Sequence, residues 1–124
     1  MRKTVLVVDD SDETRLMLLR MLQGEGYSSV EARNGVEALA KVDECAPDLI
    51  IMDLNMPHLD GLTATERIRQ YREHRFGIPI LAITAFDTYG MKEAAIEAGC
   101  NEYLLKPLDL DQLGNLLREH LGYL

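Results

Sequence analysis

The chain predicts an α/β fold of the doubly wound kind: one five-stranded parallel sheet, strand order 2-1-3-4-5, with helices on both faces. Three observations predict it. Short apolar, β-branched runs alternate five times with helical apolar spacing along 124 residues, a pattern that implies parallel strands. The central runs are apolar at successive positions, as in strands buried on both faces. No linker, repeat or Pro/Gly/Ser-rich segment interrupts the alternation, so residues 1–124 read as one domain. Right-handed crossovers then make 2-1-3-4-5 the common five-stranded order.

Thr4 to Val8 is the first strand, and it runs into two acids, Asp9 and Asp10. Ser11 or Asp12 caps the helix that follows, and Glu13 suits its first turn. Leu16, Leu19 and Leu22 are expected to form the buried face of that helix, which Gly24 and Gly26 end. Ser28 to Ala32 is a short second strand. Asn34-Gly35 looks like a hairpin signal, but Val36, Leu39 and Ala40 continue at helical spacing, so the pair leads into a second helix that stops before Pro47.

The third strand is Leu49-Ile50-Ile51-Met52, ending on the carboxylate of Asp53. A buried strand has no structural need of an acid there. Pro57 and Asp60-Gly61 turn the chain, and Leu62 to Tyr71 forms the third helix, with Ala64, Ile68 and Tyr71 inward. Glu66, Arg67, Arg69, Gln70 and Arg72 read as its solvated face. Ile80 to Thr84 is the fourth strand. Met91, Ala94, Ala95 and Ala98 mark the fourth helix, ended by Gly99. Glu102 to Leu105 is the fifth strand, followed by Lys106-Pro107. The last helix carries Leu110, Leu113, Leu117 and Leu121 on one stripe, capped near Asp109.

Composition narrows the function. At 47% hydrophobic and 27% charged, with no low-complexity tract, the chain should be a compact soluble globule. The net charge of -8 argues against direct nucleic-acid binding and gives no help on anionic membranes. Cys45 and Cys100 are far apart and make no metal-type pair, which suits two reduced thiols in a cytoplasmic protein. The first apolar run is too short for a signal peptide or a membrane span.

The strand order brings the polar strand ends together. In an all-parallel sheet the C-terminal ends lie on one edge, and the crevice between strands 1 and 3 is the switch point where such sheets bind ligands. Asp9, Asp10, Asp53, Thr84 and Lys106 all end strands at that edge. One acid or one threonine there is ordinarily a cap or loop residue; the whole set is hard to ascribe to chance. Three carboxylates in one crevice should raise a pKa unless a cation intervenes. Hard oxygen ligands point to Mg²⁺ or a similar ion. Metal and lysine together suit a phosphoryl group, with Asp53 as the nucleophile that forms an aspartyl phosphate.

These residues resemble the receiver domain of two-component response regulators, the CheY-like family with a flavodoxin-like (βα)5 fold. The matching residues are Val7-Val8-Asp9-Asp10, then Asp53-Leu54-Asn55-Met56-Pro57 with Asp60-Gly61, Ile83-Thr84-Ala85, Gly99, Tyr103 and Lys106-Pro107. They span essentially the whole chain in order. The resemblance implies that Asp53 takes a phosphoryl group from the histidine of a sensor kinase or phosphotransfer protein. Asp10 would be a direct Mg²⁺ ligand, Asp9 a direct or water-mediated one, and the Asn55 backbone carbonyl would complete the set. Lys106 would hold a phosphoryl oxygen, ahead of a cis bond to Pro107. Thr84 would move onto the phosphate and Tyr103 would turn inward, biasing the surface of helix 4, strand 5 and helix 5.

Tyr103 read without the resemblance is a packing aromatic, and His58 is a surface loop residue. Asn55 and Phe86, two residues after Asp53 and Thr84, are variable positions lining the family's site. Phe86 is apolar where a polar group could orient water, so the aspartyl phosphate is expected to be long-lived. With no output domain in the sequence, the expectation is a stand-alone protein acting through a downstream protein target, as a monomer or weak phosphorylation-dependent dimer.

Three other readings compete. A haloacid-dehalogenase-like phosphatase also uses an aspartyl phosphate, but its nucleophile usually ends the first strand with a second acid two residues on. Here that position is Asn55, which cannot serve as the general acid. A flavodoxin-like flavin binder wants a hydroxyl-rich phosphate loop where this chain has acids. A receiver-shaped module that is never phosphorylated would not need the complete set of acids, threonine and lysine.

Overall fold

A computed structural model describes residues 2–56, 59–70 and 77–122. Five strands and five helices alternate: β1 Thr4–Val8, α1 Asp12–Gly24, β2 Ser28–Ala32, α2 Gly35–Cys45, β3 Leu49–Asp53, α3 Gly61–Gln70, β4 Ile80–Thr84, α4 Met91–Ala98, β5 Glu102–Leu105 and α5 Leu110–Leu121. All pairings are parallel and the order is β2-β1-β3-β4-β5, as the sequence predicts. Pro57, His58, Tyr71, Arg72 and the final Tyr123-Leu124 lie outside the described residues.

Alternation along each strand divides the core in two. Val5, Val7, Leu49, Ile51, Leu81 and Ile83 face Leu18 and Leu22 of α1 and Leu113 and Leu117 of α5. Leu6, Val8, Ile50, Met52, Ile80 and Ala82 face Ala38 and Val42 of α2, Ala64 and Ile68 of α3, and Ala95 of α4. Both sides of β3 and β4 are thus covered, which is why their sequences read as unbroken apolar runs.

The helices start where side-chain oxygens can meet free backbone N–H groups. Ser11 caps α1 by accepting from Thr14 N at 3.2 Å, which decides between the two candidate caps. Asn34 caps α2 by accepting from Glu37 N at 2.9 Å, and Asp109 caps α5 by accepting from Asp111 N and Gln112 N. Asp60 accepts from Thr63 N at 2.9 Å at the start of α3.

Several expected helix faces are corrected. Leu16 is 49% exposed and Leu19 only half-buried; the buried register of α1 is Arg15, Leu18 and Leu22. An arginine on the inner face hid that register from a reading of apolar residues alone. In α2, Val36 is 60% exposed and Ala40 is exposed, while Gly35, Ala38 and Val42 turn inward. Arg69 does not belong to a solvated face. Its Nε donates to Gly99 O at 3.0 Å and its terminal nitrogen to Asn101 Oδ1 at 2.9 Å, tying α3 to the α4–β5 connection, and burial lowers its pKa. Leu110 is exposed at the head of α5, whereas Leu113 and Leu117 are buried.

Gly61 is more than a turn residue. A Cβ there would sit 2.2 Å from Asp53 O and 2.7 Å from Leu54 Cα, so only hydrogen fits where α3 starts against the end of β3.

Candidate functional site

Register sets the site. Val8 pairs with Met52, so Asp9 and Asp53 emerge level with each other from neighbouring strands. Asp53 pairs with Ile83, and Thr84 pairs with Leu105, which delivers Thr84 and Lys106 to the same edge. A one-residue slip would turn these side chains to the other face.

Five predicted residues meet there. Carboxylate oxygens of Asp9, Asp10 and Asp53 all lie within 4.8 Å of one another. Lys106 Nζ is 3.0 Å from Asp9 Oδ2 and 3.6 Å from Asp53 Oδ2. Asp9 and Thr84 are fully buried and Asp53 is 2% exposed; Asp10 is exposed. Asp9 Oδ1 accepts from Ser11 N at 2.9 Å, and Asp53 Oδ1 from Asn55 N at 3.1 Å. The Lys106-Pro107 bond is cis.

The charges do not balance. Three carboxylates face one ammonium. Burial pushes the Asp53 carboxyl up to about 6; the Asn55 N–H opposes this, Asp9 adds to it, Lys106 opposes it and Asp10 adds to it. Burial alone would lower Lys106, but its contacts with Asp9, Asp53 and Asp10 raise it, so it stays an ammonium. Among the described residues Asp9 Oδ2 accepts no hydrogen bond of good geometry, although it is buried beside that ammonium. A buried carboxylate oxygen without a hydrogen bond, in a cluster of three acids, is what a small hard cation would complete. The donor set is all oxygen, so the residues fit Mg²⁺.

The opposite flank is held by side chains. Asn55 Nδ2 donates to Thr84 Oγ1. Thr84 Oγ1 also accepts from Phe86 N at 3.1 Å and lies 3.3 Å from Phe86 O. Phe86 is 60% exposed. Tyr103 packs partly against the core, and its hydroxyl donates to Asp87 at 3.4 Å on the surface.

Sequence reasoning missed Arg15, whose buried guanidinium donates to Asp9 O at 2.7 Å. Its only signal was an arginine in register with Leu18 and Leu22, positions 15, 18 and 22 of one helix. It also missed Asp87 as the partner of Tyr103, for which no sequence spacing gives a cue.

Comparison with known proteins agrees with this geometry. Residues 5–118 match the sequence profile of the response regulator receiver domain. The polar-differentiation response regulator DivK of Brucella anthropi is 34% identical over 122 residues, covering 98% of each chain. The chemotaxis protein CheY4 of Vibrio cholerae superimposes with a TM-score of 0.90 at 34% identity, covering 98% of this chain and 100% of that one. The receiver domain of a sensor histidine kinase from Pseudomonas aeruginosa PAO1, with magnesium coordinated in its active-site cleft, superimposes with a TM-score of 0.89 at 32% identity, covering 98% and 99%. No described helix is long and apolar enough to cross a membrane. The chain belongs to the response regulator receiver domains, the phosphoacceptor switches of two-component signalling.

Proposed function

We propose that Asp53 is the phosphoacceptor and that it works with Mg²⁺. The observation that carries this reading is the convergence of Asp9, Asp10 and Lys106 on a carboxylate that is 2% exposed yet ends a core strand at the open edge of the sheet. The donor is the phosphohistidine of a sensor kinase or of a histidine phosphotransfer protein. An Asp53 oxygen forms the new O–P bond as the P–N bond breaks, and the electron pair leaves with the imidazole nitrogen.

Mg²⁺ would be held by Asp10, Asp53, the Asn55 carbonyl, and Asp9 directly or through water. It would neutralise the acids and the oxygens of the incoming phosphoryl group. Lys106, already 3.6 Å from Asp53 Oδ2, holds a phosphoryl oxygen. With a carboxyl pKa of about 6, Asp53 is mostly the nucleophilic carboxylate at neutral pH even before a cation binds.

Thr84 and Tyr103 form the switch. Thr84 gives up its bond with Asn55 for the phosphoryl group, and Tyr103 leaves Asp87 and turns inward behind it. The surface of α4, β5 and α5 then takes the form that a downstream protein target binds. Asn55 and Phe86 tune the lifetime of the phosphate. With Asn55 in place of an acid beside the nucleophile, the chain assists only its own phosphorylation and dephosphorylation and does not turn over phosphate monoesters. The setting is cytoplasmic, with partners that are proteins and with neither nucleic acid nor membrane bound; the protein is a monomer or a weak phosphorylation-dependent dimer.

The test is incubation with Mg²⁺ and a small acyl phosphate, read by intact mass. The wild type should gain one phosphoryl group and Asp53→Asn none. A wild type without an adduct would favour a receiver-shaped module that is never phosphorylated.

A further inference from the structure

Arg15 is a buried cation outside the reacting set. It is 6% exposed, and its guanidinium divides its donors among three segments. One terminal nitrogen donates to the Asp9 backbone carbonyl at 2.7 Å, at the end of β1. Nε donates to Glu31 Oε1 at 2.8 Å, on β2. The other terminal nitrogen pairs with Asp12, in the first turn of α1.

The contact with Asp9 is the one with a chemical consequence. That carbonyl belongs to the peptide plane leading into Asp10. Asp9 N is already fixed on Ala32 O at 3.1 Å, so the Arg15 bond holds the remaining freedom of the Asp9–Asp10 link. The Asp10 carboxylate is exposed and, among the described residues, has no hydrogen bond of its own. With no side-chain bond to aim it, what is fixed is the Cα–Cβ direction that the Asp9–Asp10 backbone gives it toward Asp9 and Asp53.

We propose that Arg15 is a positioning residue for the cation: it orients the Asp9–Asp10 peptide so that Asp10 completes the acid cluster. This rests on reading Asp9, Asp10 and Asp53 as a Mg²⁺ site. A planar fork meets three acceptors in fixed directions, which a lysine ammonium at the end of a flexible stem does not. Glu31 and Asp12 have exposed carboxylates that water can solvate without Arg15, whereas the Asp9 carbonyl would lose its donor.

A mere brace between α1, β1 and β2 would change stability and leave the affinity of the folded protein for cations alone. Calorimetric titration with Mg²⁺ separates the two roles. The chains to compare are the wild type, Arg15→Met, Arg15→Lys, Asp10→Asn and, as a brace remote from the acids, Arg118→Met, which breaks the Glu25 pair. Arg15→Met should weaken Mg²⁺ binding about tenfold, the usual scale for losing a group that orients a ligand. Its phosphorylation by a small acyl phosphate should need correspondingly more Mg²⁺ and recover to near the wild-type rate at saturation. Arg118→Met should keep the wild-type affinity. If Arg15→Met does not fold, Arg15→Lys carries the test with the same direction and a smaller loss. Wild-type affinity in both Arg15 variants overturns the proposal while leaving the cation site intact. A wild type and Asp10→Asn that both fail to bind Mg²⁺ overturn the cation reading itself.

Discussion

The two flanks of the crevice are built from different kinds of bond. On the β1 flank, the chain at Asp9 is bonded at its N–H by Ala32 O, at its carbonyl by Arg15, and at its carboxylate by Ser11 N. On the β4–β5 flank, the groups that matter meet other side chains or a loop: Thr84 meets Asn55 and Phe86, and Tyr103 meets Asp87. Residues 85–90 are all exposed. Backbone-anchored ligands can be aimed once and kept. Side-chain pairs at a surface can be exchanged at small net cost, because each hydrogen bond lost is replaced by another. The first flank suits holding charge, and the second suits changing partners.

The largest effect should come from removing the charge that spans the crevice. Lys106→Met is expected to slow phosphorylation by a small acyl phosphate roughly a hundredfold, the scale for losing one preorganised donor to a developing charge. The measurement is the time course of the phosphate adduct. A rate within a few-fold of wild type would show that the lysine is only a structural counter-ion for Asp9.

A smaller effect concerns the carboxylate that lies between the two flanks, at the end of β3. The folded-state pKa of Asp53, about 6, lies above the ordinary carboxylate value. The folded protein therefore binds the proton more tightly than the unfolded chain. The stability from this group is fully present below about pH 4 and is lost as pH rises through 6. Asp53→Asn should remove this loss, so that the variant gains on the order of 2 kcal/mol relative to wild type between pH 4 and 7.5 without Mg²⁺. Urea midpoints of both proteins across that range are the check. Parallel curves would mean that Lys106 already compensates the carboxylate fully.

The smallest effect probes the exchangeable flank. Phe86→Glu should speed loss of the phosphate several-fold, since a carboxylate at this exposed position can hydrogen-bond an attacking water where a phenyl ring cannot. Decay of the adduct after removal of the phosphodonor measures it. An unchanged or slower decay would sink the idea that Phe86 prolongs the phosphorylated state.

What could be read from the sequence follows from the range of each interaction. The inner strands β1, β3 and β4 are near-continuous apolar runs between breakers, so their limits follow from local composition, and the Asp53 strand ends at its acid as expected. Asp9, Asp53, Thr84 and Lys106 could be brought together because parallel topology puts every strand's end on one edge. The faces of α1 and α2 could not be read this way. Leu16 and Val36 are apolar and exposed, while Arg15 is charged and buried because three acceptors from separate segments satisfy it. Arg69 misled in the same manner: its acceptors, Gly99 O and Asn101 Oδ1, lie thirty residues or more along the chain. Polar burial depends on distant partners, which a hydropathy pattern does not carry.

Gly61 has a consequence for how variation in this chain should be interpreted. Alanine there would press on the peptide that carries the Asp53 carboxylate, the proposed phosphoacceptor. A collection of variants selected only for folding, with no phosphodonor present, should already lack substitutions at residue 61. Intolerance to change would then mark it as if it took part in the chemistry, though it contributes no functional group. Residue 61 is silent in the reaction and strict in shape: a screen for folding alone would reject changes there and pass Asp53→Asn, and only a screen for phosphorylation would reject both.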